Sequence, residues 1–253
     1  MTRAEARRLL CLASVISWLG LSIFAGGLVG ALWLARALPR FGIASDYAWT
    51  LFPFAIVGGC VGAKLWAASE TLFAPEPGQS FRFVLWSREG ATFYGGLALG
   101  AVAVVAKLSW DRMPVAVVAN AMAPSLALGQ AIGRIGCFLV GDDYGVRTAL
   151  PWGMAFPHGM PPTLERVHPT QLYEAAWLFA SALFLRARLM RSRCLVAEYL
   201  VLQGAGRFAI EWLRTNPRTV GPFTTSQLIA LGCLAAGGWG LFASRERAVS
   251  SRT

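Results

Sequence analysis

The segment QGAGRFAIEWLRTNP carries Arg207, Glu211 and Arg214 at i, i+4 and i+7, which on a helix puts all three on one face. Two guanidinium groups around one carboxylate leave a positive charge uncompensated, and an anion would complete the set. The plainer alternative is an internal ion pair, Arg207 with Glu211, that pins two helices together. Arg134 is a second such centre, between Gly133 and Gly136 in GQAIGRIGCFLVGDDYG, with Asp142 and Asp143 shortly after it. Glycines there permit close approach of a backbone or a ligand. Set against this, an arginine near a helix end can simply snorkel, and the two aspartates read equally well as loop acids in water. HPTQLYEA brings His168, Gln171 and Glu174 close together, and Lys64 stands in GAKLW. Arginine meets phosphate oxygens with a rigid donor fork. The chemistry these groups fit is therefore the holding of an anionic, lipid-derived molecule, in either a lipid-processing enzyme or an anion transporter.

The elements that must position these groups are apolar. Of 253 residues, 56% are hydrophobic and 14% charged, whereas a soluble domain carries about a quarter charged residues. The apolar residues come in runs that approach the ~20 needed to cross a bilayer. They lie at about 9–38, 47–72, 91–108, 115–140, 169–189, 195–213 and 225–243. The chain thus reads as an all-α, polytopic membrane protein of about seven transmembrane helices, one transmembrane domain over 1–253. A charge at the bilayer centre costs ~2.5–3.5 kcal/mol, so ionisable groups inside such runs usually face protein or a wet cavity.

Residues 141–168 interrupt the pattern. Pro and Gly recur throughout, which excludes a spanning helix, and the length favours a functional arm over a connector. We expect an irregular, extracytoplasmic arm. Orientation follows from the Lys/Arg bias: Arg186, Arg188, Arg191 and Arg193 crowd one short loop, and Arg245, Arg247 and Arg252 follow the last run. That places the C-terminus in the cytoplasm and the arm outside, with Arg3, Arg7 and Arg8 arguing the other way.

The formal charge of +10 comes mainly from arginines at helix ends, which fits anionic lipid head groups; no nucleic-acid motif accompanies it. The five cysteines are scattered and odd in number, indicating neither a disulfide framework nor a zinc site. Nothing has metal-ligand spacing and no phosphate-binding glycine loop precedes a helix, so no metal or organic cofactor is expected. The basic N-terminus opens a run too long for a signal peptide and is read as a retained first helix.

At these residues the sequence resembles the prolipoprotein diacylglyceryl transferases, polytopic enzymes of the bacterial plasma membrane. GRIGCFLVGDDYG stands where that family has GRIGNFxNGExxG. LPWGMAFP, HPTQLYEA and GRFAIEWLR follow in family order, and FYGGL and GAKLW line up with FHGGL and a GARL-type segment. The resemblance implies transfer of a diacylglyceryl group from phosphatidylglycerol to the lipobox cysteine of a preprolipoprotein, giving a thioether. It would place Arg134 and Arg207 on the lipid phosphate, with Glu211 orienting Arg207. Asp142 would take the position of the family glutamate, and Gly145 would close the signature loop. Gly95, Gly96, Gly133, His168, Gln171, Glu174 and Arg214 are the further substrate-binding residues so implied, and the arm would admit the signal peptide. Tyr94 stands in place of the family histidine taken as base. Cys137 and Val140 replace two asparagines, Asn120 an aspartate, and Leu19 and Gln203 two tyrosines. A thiol of pKa ~8.5 is already a few per cent ionised at neutral pH, which makes loss of that base tolerable. The alternative is a paralogue that binds phospholipid in the arginine pocket without transferring it. An anion transporter would show internal symmetry, and the sequence has none.

Overall fold

The computed structural model describes residues 3–73, 81–86, 93–192 and 194–250, without the side chains of 3–17, 19, 73, 83, 86, 93, 94 and 247–250. Its elements run α1 (Arg3–Ala37), a 3-10 turn (Leu38–Phe41), α2 (Tyr47–Phe73), α3 (Phe81–Trp86), α4 (Phe93–Trp110), α5 (Val115–Val140), β1 (Met154–Phe156), β2 (Thr163–Val167), α6 (Thr170–Arg188), α7 (Leu195–Glu211) and α8 (Thr225–Ser250). Each apolar run of the sequence forms one of the long helices, and α5 matches its run residue for residue. Gly20–Phe41, Tyr47–Leu72, Val115–Val140 and Thr225–Glu246 are long and apolar enough to cross a membrane, and Gly95–Trp110 is a shorter apolar helix. α6 and α7, at 19 and 17 residues, carry ionisable side chains within them. The chain is a mostly helical membrane protein.

Contacts divide it into two units. In Ala31–Val118, α2 and α4 pack backbone to backbone. A methyl group on Gly58 would fall 2.8 Å from the Ala103 Cβ, and one on Gly96 3.0 Å from the Gly59 carbonyl. Small residues allow this close approach, which supplies dispersion contacts where lipid offers no hydrophobic drive. α3 covers Ala67 and Ala68 of α2 through Val84, and Lys64 Nζ donates to the Val84 carbonyl at 3.4 Å. Asp111 accepts from Tyr47 (2.7 Å) and Lys107 (2.8 Å). α3 lies in the polar stretch before the third run; the rest of that stretch is outside the described residues, as are Arg193 and Arg252.

The second unit, Met1–Gly30 with Ala119–Thr253, holds α1 as far as Gly30, α5 from Ala119 on, α6 to α8 and the arm. α7 packs on α8 at Gly204 and Gly237, where a methyl group would meet Leu234 at 2.9 Å and Val201 at 2.8 Å. Trp177 Nε1 of α6 donates to the Leu202 carbonyl of α7 at 2.9 Å. α5 stops at Gly141, whose φ of +74° is the left-handed conformation that terminates helices. Its N–H and that of Asp142 both reach the Cys137 carbonyl, at 2.9 and 3.2 Å.

The arm is more ordered than expected. β1 and β2 form an antiparallel hairpin, Met154 opposite Val167 and Phe156 opposite Thr163. Pro151, Pro157, Pro161 and Pro162 all fall outside the strands, so the short runs between them are free to pair their N–H and C=O groups. Phe156 stacks on Tyr144 at 5.4 Å and meets Phe138 of α5 edge-on at 5.9 Å, seating the hairpin on the helix end.

Candidate functional site

Three segments of the second unit converge on Glu174 of α6. One turn into α6, its carboxylate is buried and carries Arg134 Nε of α5 at 2.5 Å on Oε2. Arg207 Nη1 of α7 lies on Oε1, and Arg214 Nη1 stands 3.6 Å from the same oxygen. Arg207 reaches on through Nη2 to Glu211 Oε2 at 3.1 Å and to Ser226 Oγ of α8 at 3.0 Å. The helical spacing of Arg207 and Glu211 thus produces the contact it predicts. Arg214, beyond the end of α7, stands 3.6 Å from Glu211 Oε2.

Glu211 is fully buried and held by more than charge. Its Oε1 accepts from Thr224 Oγ1 and from Asn216 Nδ2, each at 2.8 Å. Thr224 is itself locked by a reciprocal exchange. Gln227 N–H donates to Thr224 Oγ1 at 3.2 Å, and Thr224 N–H donates to Gln227 Oε1 at 3.1 Å. This capping box satisfies two otherwise orphaned N–H groups at the start of α8, and the same hydroxyl donates to the glutamate that is ion-paired with Arg207.

Asp143 closes the cluster from the loop after α5. It accepts from Arg134 Nη1 at 2.8 Å and from Arg214 Nη2. The loop is pegged to α6: Thr170 Oγ1 donates to the Asp143 carbonyl at 2.7 Å, and Gln171 Nε2 donates to the Asp142 carbonyl. Burial by itself would raise the Asp143 carboxyl, but Arg214 and Arg134 outweigh it and hold it below the usual carboxylate range. Asp142 goes the other way, raised first by burial and then by Asp143.

Arg134, Arg207, Glu211, Gln171, Glu174 and Arg214 are thus brought together, with Asp142 through its backbone. The charge count changes. The positive charge left over by Arg207, Glu211 and Arg214, together with that of Arg134, is met by Glu174 and Asp143, so three arginines face three acids. Arg134 does not snorkel; it is tied down by Glu174 and Asp143. Gly145 is a close-approach position, where a methyl group would run into the Leu213 carbonyl, Thr170 (2.8 Å) and His168 (3.0 Å). At Gly133 a methyl group meets nothing within 4 Å. His168 Nδ1 lies 3.2 Å from the Tyr173 hydroxyl, to which Trp152 Nε1 donates at 2.8 Å.

Gly95 and Gly96 belong to the other unit, in the first turn of α4. The side chains of Tyr94 and Leu19 lie outside the described residues. Ser226, Thr224, Gln227 and Asn216 were not anticipated as site residues. The Thr-x-x-Gln spacing before the last apolar run was the signal that could have marked Thr224. Cys137, Asp142 and Asp143 place ligand atoms within 4.8 Å of one another. Both Asp143 oxygens are already on guanidinium groups, so this set favours ion pairing over a cation.

Three guanidinium groups locked by carboxylates are preorganised donors, able to bind an oxyanion and to stabilise charge as it develops there. Residues 9–243 match the family model of the prolipoprotein diacylglyceryl transferases. Among similar proteins, the phosphatidylglycerol–prolipoprotein diacylglyceryl transferase of Thermosynechococcus vestitus is 32% identical over 90% of this chain and 88% of its own length. That of Gloeobacter violaceus is 32% identical over 90% and 88%, and that of Clostridium tetani 31% over 86% and 89%.

Proposed function

The chain belongs to the prolipoprotein diacylglyceryl transferase family, and from that premise we infer that it moves the diacylglyceryl group of phosphatidylglycerol onto the lipobox cysteine of a preprolipoprotein. The cysteine sulfur attacks the glycerol carbon that bears the phosphate ester. A C–S bond forms, the C–O bond breaks, the thiol gives up its proton to water, and glycerol phosphate leaves with the electron pair on its oxygen. Negative charge grows on the phosphate as the bond breaks, which is where fixed guanidinium donors lower the barrier.

The observation that carries this reading is the convergence of Arg134, Arg207 and Arg214 on Glu174. Arg134 and Arg207 hold the phosphate, with Arg214 beside them. Glu211 orients Arg207, Glu174 spaces the guanidinium groups, and Gln171 with Asp142 fixes the signature loop. Gly133 leaves room for close approach, Gly145 lets the signature loop pack against Leu213 and Thr170, and His168 stands at the entrance of α6. Tyr94, with Gly95 and Gly96, serves the thiol side. A phenol of ordinary pKa ~10 is a poor base unless a cation lowers it, so the substrate thiol supplies much of its own ionisation.

Residues 1–253 act in this reading as one transmembrane domain of seven spans, the C-terminus in the cytoplasm and the site toward the extracytoplasmic side. The basic loop after α6 and the basic tail support that orientation.

The test is transfer in nanodiscs: purified protein, phosphatidylglycerol and a lipobox peptide, with the peptide mass followed. A diacylglyceryl mass gain that Arg207→Ala abolishes supports the reading, and Tyr94→Phe reports on the phenol. No gain beside a working control enzyme overturns it and leaves a lipid-binding paralogue.

A further inference from the structure

Resting on that reading, we propose that Asp143 is a built-in counter-ion which occupies the side of the phosphate position between Arg134 and Arg214 and is displaced by a monoanionic phosphodiester head group. The charge balance is the first ground. With Asp143 in place, three arginines are matched by Glu174, Glu211 and Asp143. With its carboxylate swung away, the directly ion-paired groups are left with one net positive charge, the complement of one phosphodiester; the neighbouring Asp142 is not ion-paired with any of the three arginines among the described residues.

The second ground is that Asp143 is the acid able to leave. Its side chain is 40% exposed, against 7% for Glu174 and 0% for Glu211. Returning it to water restores the solvation that the other two acids could regain only by opening the helix packing. Its backbone need not move. The carbonyl is pegged by Thr170 and the residue sits at a left-handed φ of 62°, so rotation of the side chain alone clears the position.

The third ground is what Asp143 covers. Arg214 is 3% exposed, and its Nε and Nη1 have no hydrogen-bond acceptor, only carboxylates at 3.6 Å. Asp143 is its closest acidic contact among the described residues, and the same carboxylate engages Arg134 through its other oxygen. Two guanidinium groups bridged by two oxygens of one anion is a geometry that a phosphate reproduces without rearranging either arginine.

The test compares wild type, Asp143→Asn, Asp143→Glu and Arg207→Ala in detergent, measuring binding of short-chain phosphatidylglycerol against uncharged diacylglycerol. A site blocked for most of the time binds with an affinity reduced by its open fraction. Removing the carboxylate charge should therefore tighten phosphatidylglycerol binding by on the order of tenfold, leave diacylglycerol unchanged, and be reversed in Asp143→Glu. Low millimolar sulfate should raise the melting temperature of Asp143→Asn and not of wild type, since the vacated position is then open to a small anion. If wild type binds phosphatidylglycerol in an Arg207-dependent way but Asp143→Asn binds no better, or sulfate fails to stabilise it selectively, the counter-ion proposal falls and the lipid site stands. If wild type shows no Arg207-dependent binding, both fall.

Discussion

Arg134 Nε lies 2.5 Å from Glu174 Oε2, an ion pair between α5 and α6 in which the arginine is 19% and the glutamate 7% exposed. The other Glu174 oxygen takes Arg207, so one carboxylate sets the spacing of the two guanidinium groups assigned to the lipid phosphate.

Removing Glu174 leaves those arginines buried and unmatched. Glu174→Ala should destabilise the protein by about 3–5 kcal/mol, the usual cost of breaking a buried pair, and abolish transfer. The contrast is the pair between Arg147, in the loop before the hairpin, and Glu165 of β2, whose side chains are 75% and 47% exposed. Arg147→Ala should cost no more than about 1 kcal/mol. Thermal unfolding in detergent separates the two, and equal losses would contradict the ranking.

Thr224 links a helix cap to the site. Thr224→Val removes the hydroxyl that accepts from Gln227 N–H and donates to Glu211. We expect a loss of about 1–2 kcal/mol together with reduced transfer, because Arg207 loses its fixed neighbour. Thr224→Ser should restore both. A stability loss with unchanged kcat/KM would mean that the cap does not reach the chemistry.

Gly145 is filled on three sides. In Gly145→Ala the new methyl group meets Leu213, Thr170 and His168, and overpacking of this kind costs about 1–3 kcal/mol. The displacement falls where Val146 N–H donates to the Leu213 carbonyl at 2.8 Å, next to Arg214. Transfer should fall more than melting temperature does. Gly133→Ala, with open space around it, is the matched control for stability.

The acid limb of stability should depend on Asp143. Its folded carboxyl lies below the ordinary value of 3.8, so it contributes stability that is complete above that value. The contribution disappears as pH falls through the lower folded value. Arg134 from α5, Arg214 from beyond α7 and the neighbouring Asp142 are the charged groups that face it. Asp143→Asn should therefore flatten the loss of melting temperature below pH ~4. An acid limb unchanged in the variant would rule out this pairing in solution.

The sequence alone determined the helices and the kind of chemistry. Run length against bilayer thickness placed α5 at 115–140, and helical spacing paired Arg207 with Glu211. Both are local properties, set by rise and turn per residue. The coincidence of several motifs in one order carried the family. The arm's hairpin was hidden because its strands, three and five residues long, are too short for a period-two pattern to rise above the surrounding Pro and Gly.

Only the tertiary structure decided how the charges are shared. Glu174 reaches Arg207 across 33 residues of chain, Thr224 reaches Glu211 across 13, and Asp143 joins arginines on either side of α6 in sequence. Such contacts depend on how each helix is rotated about its own axis and how closely its glycines let it approach the next. Local spacing does not encode either quantity. What read as a surplus positive charge around one glutamate is a balanced cluster because packing brings in two acids, Glu174 and Asp143, and one further arginine, Arg134, from elsewhere in the chain.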